Sequence, residues 1–528
     1  MARQFDRNRH APPKSRALKW LAPLAGLLGL VWFVVRVIPK PSRATYPCQR
    51  VAFPLASGFV IWLAAALASI GAYRRAKEYL HRCRYLLAAA CLMLAVGGLW
   101  LALNVTADVR ARADEPERNV PVGIGKGIHP GRVVWVHDPN ATDWKGPYEN
   151  DGHPWEPNHT KQDAVDKMVS QAVQSLAGKD SDEKAWDAIF SSFNESRGRG
   201  NRGYKRNEKI AIKINLTTCN FNAEFWNVDS STYEKMDNLD ASDTSPQIII
   251  AVLRQLVNVV GVRQSDIAVA DTLAYFPNHY WRICHGEFPK VHYVDSTGRL
   301  GRAKPAPSNV QLHFSDAQAS ENEKDYLPKC FAEADYLLNI AVLKSHDIAG
   351  VTLCAKNHYG SLARRPIEYG FYDLHQSLAG YHSAKGSYRA LVDLMGHSQL
   401  GGKTLLYIID GLYAGYNWDG EPRKWRMEPF NNDWPSSIFV SQDPVAIDCV
   451  GLDFLWEEWP DIVRIEAVDD YLLEAAHADQ AFYDPDGSGK KLKSLGVYER
   501  WNNPKDKKYS RNLGTGAGIE LLYLGPAK

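Results

Sequence analysis

Three apolar stretches, 21–38, 51–73 and 85–105, open the chain, and beyond them short β-branched runs alternate with amphipathic ones. Each stretch approaches the roughly 17–25 residues that a helix needs to cross a bilayer. Three transmembrane helices are therefore expected over 1–105. The basic residues before the first stretch also suit a cleaved signal peptide, but no small-x-small cleavage pattern follows. The segment 106–130, charged in its first part and without hydrophobic period, reads as a linker.

From there, 133–137, 210–214, 267–270, 336–343, 405–409 and 437–440 are near-continuous apolar runs, and 161–176, 247–260, 389–395 and 445–456 carry helical period. Apolar strands separated by amphipathic helices predict one α/β domain over 131–528, with a mostly parallel sheet covered by helices on both faces. The polar segments 194–208 and 413–434 read as long loops beside that sheet, and long loops are often functional.

Lysine and arginine counts set the orientation. The N-terminal tail carries six (Arg3, Arg7, Arg9, Lys14, Arg16, Lys19) and the second loop five (Arg74, Arg75, Lys77, Arg82, Arg84). The first loop has three (Lys40, Arg43, Arg50), as does the segment after the third stretch (Arg110, Arg112, Arg118). This asymmetry predicts an integral membrane protein with its N-terminus inside and its large domain extracytoplasmic, periplasmic or at the cell surface. None of the stretches contains an acid, so they read as an anchor rather than a transport path.

Composition narrows the partners. A net charge of +2, with no long basic run outside the membrane flanks, argues against nucleic acid. The 16 tryptophans fit packed cores better than a carbohydrate surface. The eight cysteines include no C-x-x-C pair, so neither a zinc ribbon nor an iron–sulfur cluster is expected. They read as small buried apolar residues, with pairing not readable from sequence.

The ends of the apolar runs carry the chemistry. The run 210–214 holds Lys213 and leads into Asn215; 267–270 leads into Asp271; 336–343 leads into Lys344, Ser345 and His346. The run 405–409 leads into Asp410, and 437–440 into Gln442 and Asp443. In open parallel sheets ligands bind at the carboxyl ends of strands. Polar groups at strand ends also simply mark where strands leave the core, but the mixed set of lysines, histidine and aspartates points to a shared site.

The motifs K-I-N-L-T-T (213–218), L-K-S-H (343–346), V-T-L-C-A-K-N-H-Y-G (351–360) and S-Q-D-P-V-A-I-D (441–448) occur in that order. Over about 209–456 the chain resembles the bacterial and archaeal family known as domain of unknown function 362. The resemblance implies a fold and a site, not a reaction. Many relatives add a ferredoxin-like cysteine cluster that this chain lacks.

The candidate site follows residue by residue. His346, Lys344 and Lys356 are the candidate catalytic groups, as acid–base or electrostatic participants. Lys213, Asn215 and Asn357 are candidate ligand-binding groups, and V-T-L-C-A-K-N is expected to start a helix whose amides favour a phosphate or carboxylate. Asp271, Asp410 and Asp443 are candidate ligands for a divalent metal, with Asp448 a further hard oxygen donor. Cys354 reads as a buried structural thiol. G-I-G-K-G (123–127) precedes a strand, so it is no dinucleotide loop, and D-P-D-G-S-G (484–489) reads as a tight turn, since the last calcium-loop position would be Leu495. Two functions remain open: a metal-assisted enzyme acting on an anionic small molecule or envelope component, or a non-catalytic binding or assembly module at the membrane. A redox partner is a weaker third.

Overall fold

The computed structural model describes residues 27, 28, 30–32, 34, 35, 47–113, 120–220, 228–236 and 240–526. The chain divides into two compact units, Met1–Glu117 and Arg118–Lys528.

In the first unit helices run over Pro47–His81 and Tyr85–Ala113. Among the described residues, only the segment Phe59–His81 is long and apolar enough to cross a membrane. This corrects the expectation of three spans. Among the described residues the apolar part of the second helix is Tyr85–Trp100. The expected first span, 21–38, lies for the most part outside the described residues.

Among its described residues the second unit holds thirteen strands. In chain order they are β1 Val122–Gly123, β2 Arg132–His137, β3 Ile210–Lys213, β4 Ile267–Ala270, β5 His292–Val294, β6 Pro307–Leu312 and β7 Asp325–Pro328. They continue as β8 Tyr336–His346, β9 Gly350–Thr352, β10 Thr404–Gly415, β11 Ser437–Ser441, β12 Val497–Tyr498 and β13 Glu520–Leu524. Nine form the central sheet, in the order β13-β2-β11-β10-β8-β3-β4-β5, with β9 paired to β8. Pairing is parallel along β10-β8-β3-β4-β5 and between β13 and β2. β11 is antiparallel to both β10 and β2, and β9 is antiparallel to β8. All the other strands of the sheet therefore point one way, and the expected α/β architecture is present as a mixed sheet with helices on both faces.

Two apolar cores, one per face, follow from the alternation of side chains along each strand. On β8, Leu337, Ala341 and Leu343 enter one core, and Tyr336, Leu338 and Ile340 the other. The first face is covered by the helix Pro444–Glu458 and by shorter helices that include Cys354–Asn357. The second is covered by Gln162–Ala177, Asp182–Ser196 and Pro246–Arg254. Gln162–Ala177 shows how pattern becomes packing. Val165, Met168, Val169, Ala172, Val173 and Leu176 lie on one stripe and are buried. The helix then stops at Gly178, whose φ of 63° suits a residue without a Cβ. Pro444–Glu458 has no polar stripe and is buried nearly all round, as a helix inside the fold must be.

Candidate functional site

β3 and β4 end side by side, with Lys213 opposite Ala270 in register. The next residues of both strands, together with the end of β8, open onto a cavity of about 420 Å³. Its polar wall includes Asn215, Thr217, Asn220, Asp271, Thr352 and Lys356, with Asn357, Arg365, His346 and His375. Its apolar wall includes Leu273, Ala274, Ile348, Pro366, Ile367 and Trp418. The strand-end reasoning thus holds for β3, β4 and β8.

Behind the polar wall lies a buried ion pair. Lys213 is fully buried, and its Nζ lies 3.1 Å from Asp271 Oδ2. The same ammonium donates to Asn357 Oδ1 (3.0 Å) and to the Ile214 carbonyl, so its three hydrogens are all used. Burial pulls its pKa below the usual lysine value, and Asp271 opposes that pull. Asp271 also accepts from the amides of Leu216 (3.0 Å) and Leu273 (3.2 Å). Asn357 accepts from Asn215 Nδ2 (3.2 Å) and donates to Asn339 Oδ1 (2.8 Å) and the Ile340 carbonyl (3.1 Å). This network ties β3, β4 and β8 to the helix Cys354–Asn357 and matches Asp271, the one carboxylate among the described cavity-lining residues. Gly360 closes over it: a Cβ there would lie 2.7 Å from both Lys213 Nζ and Asp271 Oδ1.

Lys356 is different. Its ammonium sits over the Tyr359 ring, 3.8 Å from the centroid. Among the described residues it has no ion-pair partner. Burial, reinforced by the positive charge of Lys344 and opposed by Asp347, lowers its pKa to about 7. Lys344 is lowered to about 8, chiefly by burial. Yet Lys344 does not line the cavity. It points to the other face of β8, donates to the Ser242 carbonyl (2.9 Å), and is drawn to Asp243.

His346 Nδ1 lies 3.1 and 3.2 Å from the amide nitrogens of Ile348 and Ala349. Accepting those hydrogens assigns its proton to Nε2. Asp347 Oδ1, 3.1 Å from the same nitrogen, favours the charged ring, but burial dominates and lowers the pKa to about 4. His346 is therefore a neutral donor near neutral pH. His375, lowered by burial to about 3, is also neutral, and its Nδ1 is buried without a hydrogen-bond partner among the described residues. Thr352 Oγ1 is likewise buried and unpartnered. Asn417 pins the apolar wall. Its Oδ1 accepts from the amides of Asp347 (2.9 Å) and Trp418 (2.8 Å), its own amide donates to Ser345 Oγ (2.8 Å), and the Trp418 ring comes 6.3 Å from that of His346.

Of the groups expected at one site, Asn215, Asp271, His346, Lys356 and Asn357 line the cavity, and Lys213 lies directly behind it. Asp410 and Asp443 are not brought there. Asp443 follows β11, which runs against its neighbours, so it emerges at the opposite edge of the sheet. There its side chain caps Pro444–Glu458 through the amides of Val445 (3.0 Å) and Ala446 (2.9 Å), and accepts from those of Lys126 (2.8 Å) and Val497 (3.2 Å). Asp410 faces the helix-covered side and accepts from the amides of Ser245 (2.7 Å) and Leu412 (3.0 Å). Asp271, Asp410 and Asp443 therefore do not form the expected metal triad, and among the described residues no three His, Cys, Asp or Glu side chains are grouped to hold a metal ion.

The expected anion-binding helix start is also closed. Cys354–Asn357 is a single turn whose first amides, of Cys354 and Ala355, donate to the two oxygens of Asp448 at 2.8 and 3.0 Å. Cys354 is buried, with its thiol pushed well above the usual range. The D-P-D-G-S-G segment is a turn closed by Asp484, which accepts from the amides of Ser488 (2.9 Å) and Gly489 (2.5 Å).

Thr217, Thr352, Arg365, His375 and Trp418 were not singled out from sequence. Thr217 and Thr352 sit inside the quoted motifs. Arg365 follows Arg364, and only the structure separates the two: Arg364 turns inward to Asp325 at 2.6 Å, while Arg365 lines the cavity. His375 and Trp418 lie in irregular segments that periodicity does not read.

Comparison with known proteins covers three of the four motifs and leaves K-I-N-L-T-T (213–218) outside the match. Residues 235–453 match the family described as "Domain of unknown function (DUF362)", and they contain Lys344, His346, Lys356 and Asn357. No curated protein matches the chain.

Proposed function

We propose that this chain, whose segment 235–453 belongs to the DUF362 family, binds a small molecule carrying a phosphate or carboxylate in the cavity at the ends of β3, β4 and β8, and acts on it by acid–base chemistry. One observation carries the reading. Lys356 lines a cavity in which, among the described residues, the lining carboxylate, Asp271, is already matched by Lys213. An unmatched cation in a desolvated pocket is costly, and an anion removes that cost. The Thr352 hydroxyl, buried without a hydrogen-bond partner among the described residues, supplies a further polar atom for such a ligand. Chemistry is favoured over passive binding because the cavity combines a hydrogen-bond donor, His346 Nε2–H, with an amine that is partly neutral near pH 7 and can take up a proton.

The test is thermal melting of the detergent-purified chain with inorganic phosphate or malonate. A ligand at 100 times its Kd stabilises the folded state by about 2.7 kcal/mol. The rise should shrink in Lys356→Ala and persist in Lys344→Ala. Equal rises in both variants, or none in the native chain, would sink the anion site.

We propose further that Phe59–His81 anchors the protein in a membrane, with Arg118–Lys528 outside the cytoplasm. The support is the lysine and arginine count on either side of that segment, ten over 1–58 against five over 82–118. An alkaline-phosphatase fusion at Asp114 should be active; an inactive fusion beside an active cytoplasmic reporter would reverse the orientation.

A further inference from the structure

We propose that Lys356 captures an aldehyde or ketone carbonyl of the bound ligand as a covalent imine, which makes the substrate class a carbonyl-bearing carboxylate or phosphate ester. The inference rests on the anion-site reading above and names its chemistry. Three lysines of the domain are held well below the ordinary amine value: Lys344, Lys356 and Lys403. Geometry separates them. Lys403 is buried against the carbonyls of Ala332 (2.9 Å) and Ala334 (2.7 Å) and against Gln399 Oε1 (3.1 Å). Lys344 is held by the Ser242 carbonyl on the far face of β8. Lys356 alone of the three lines the cavity, where it touches an aromatic face and no acceptor among the described residues. A desolvated lysine beside another cation is the arrangement that makes an amine nucleophilic.

The balance is simple. The neutral amine attacks the carbonyl carbon, a C–N bond forms, and the amine proton passes to oxygen to give a carbinolamine. The hydroxyl leaves as water with one added proton, and the nitrogen lone pair closes the C=N bond. That proton comes from solvent, because His346 is uncharged where Lys356 is neutral; its Nε2–H is the hydrogen-bond donor in the same cavity for the departing oxygen. Arg365 is placed to hold the ligand's anionic group. Nothing is oxidised or reduced.

The experiment uses the full chain with pyruvate and, separately, glycolaldehyde phosphate. Sodium borohydride is added to reduce any imine to a stable secondary amine, and the adduct is located by peptide mass spectrometry. Labelling should concentrate at Lys356 over the exposed Lys145 and Lys184. It should be absent at Lys356 without borohydride, and should fall when inorganic phosphate competes. It should also rise as pH passes about 7, where Lys356, flanked by Lys344, Asp347, His346, His375 and Arg365, loses its proton. In Lys356→Arg the labelling should vanish. If that variant fails to fold, the mapped position in the native chain decides. No adduct at Lys356 with either probe, or labelling as strong at Lys145 and Lys184, overturns the imine. If phosphate still raises the melting temperature in that case, the anion site survives alone. An adduct at Lys356 that phosphate neither reduces nor stabilises would keep the covalent step and remove the anion site.

Discussion

At the scale of residues, the cavity depends on one ion pair and on the absence of one methyl group. Lys213 and Asp271 are both buried, and removing one partner of such a pair typically costs about 3–5 kcal/mol. Gly360 admits their contact because it has no Cβ; one would stand 2.7 Å from each charged group. Gly360→Ala should therefore destabilise the domain by about 1–3 kcal/mol, the usual cost of overpacking. Urea unfolding would read it, and a change below a few tenths of a kcal/mol would show that the network can shift aside. The identities of these residues were legible in the chain, because Lys213, Asn215 and Asp271 sit at or near the ends of apolar runs and Asn357 lies in the motif 351–360. Their division of labour was not. Sequence places Lys213, Lys344 and Lys356 as equivalent cations, whereas the structure saturates the first, turns the second to the other face of β8, and leaves the third in the cavity.

At the scale of elements, one reversed strand explains the largest misplacement. The apolar run that becomes β11 reads like its neighbours, since a fully buried strand has the same pattern in either direction. Only the return loop from β10 decides which edge its end faces, and that direction carries Asp443 away from the cavity. The S-Q-D-P motif is thus a helix start: Asp443 caps and Pro444 occupies the first turn. Asp443→Ala strips the acceptor from four backbone amides. It should cost about 1–2 kcal/mol for the cap alone, and more with the added contacts from Lys126 and Val497. Phosphate-induced stabilisation should be unchanged relative to the variant's own baseline. Lys356→Ala should show the reverse, a lost ligand response at little cost in stability. A variant of Asp443 that loses the phosphate response while keeping its melting temperature would return that residue to the site.

At the scale of the whole molecule, buried ionisable groups set the pH response. Lys344, Lys356 and Lys403 titrate at about 8, 7 and 7 when folded, against about 10.4 in an unfolded chain. Between those values the unfolded chain holds protons that the folded one has released, so stability rises with pH. Buried thiols such as Cys219, Cys284 and Cys354 are raised, and they reverse the trend above their ordinary pKa of about 8.5. Melting temperature should therefore climb from about pH 7 to about pH 8.5, and the climb should be shallower in Lys403→Met; a flat or falling profile would refute the lysine assignment.

The α/β core was legible at this scale because strand and helix periods are set by contacts inside the domain. The membrane region was less so: the apolar pattern gives three spans, whereas among the described residues one segment, Phe59–His81, is long and apolar enough to cross a membrane. The cavity's described walls come entirely from residues within Arg118–Lys528, and so do both apolar cores that cover the sheet. A fragment beginning at Arg118 should therefore fold without detergent, unfold cooperatively, and keep the phosphate-induced rise in melting temperature. A fragment that folds but no longer responds to phosphate would mean that the N-terminal unit contributes to the site. One that aggregates at every ionic strength would mean that the domain needs that unit to fold.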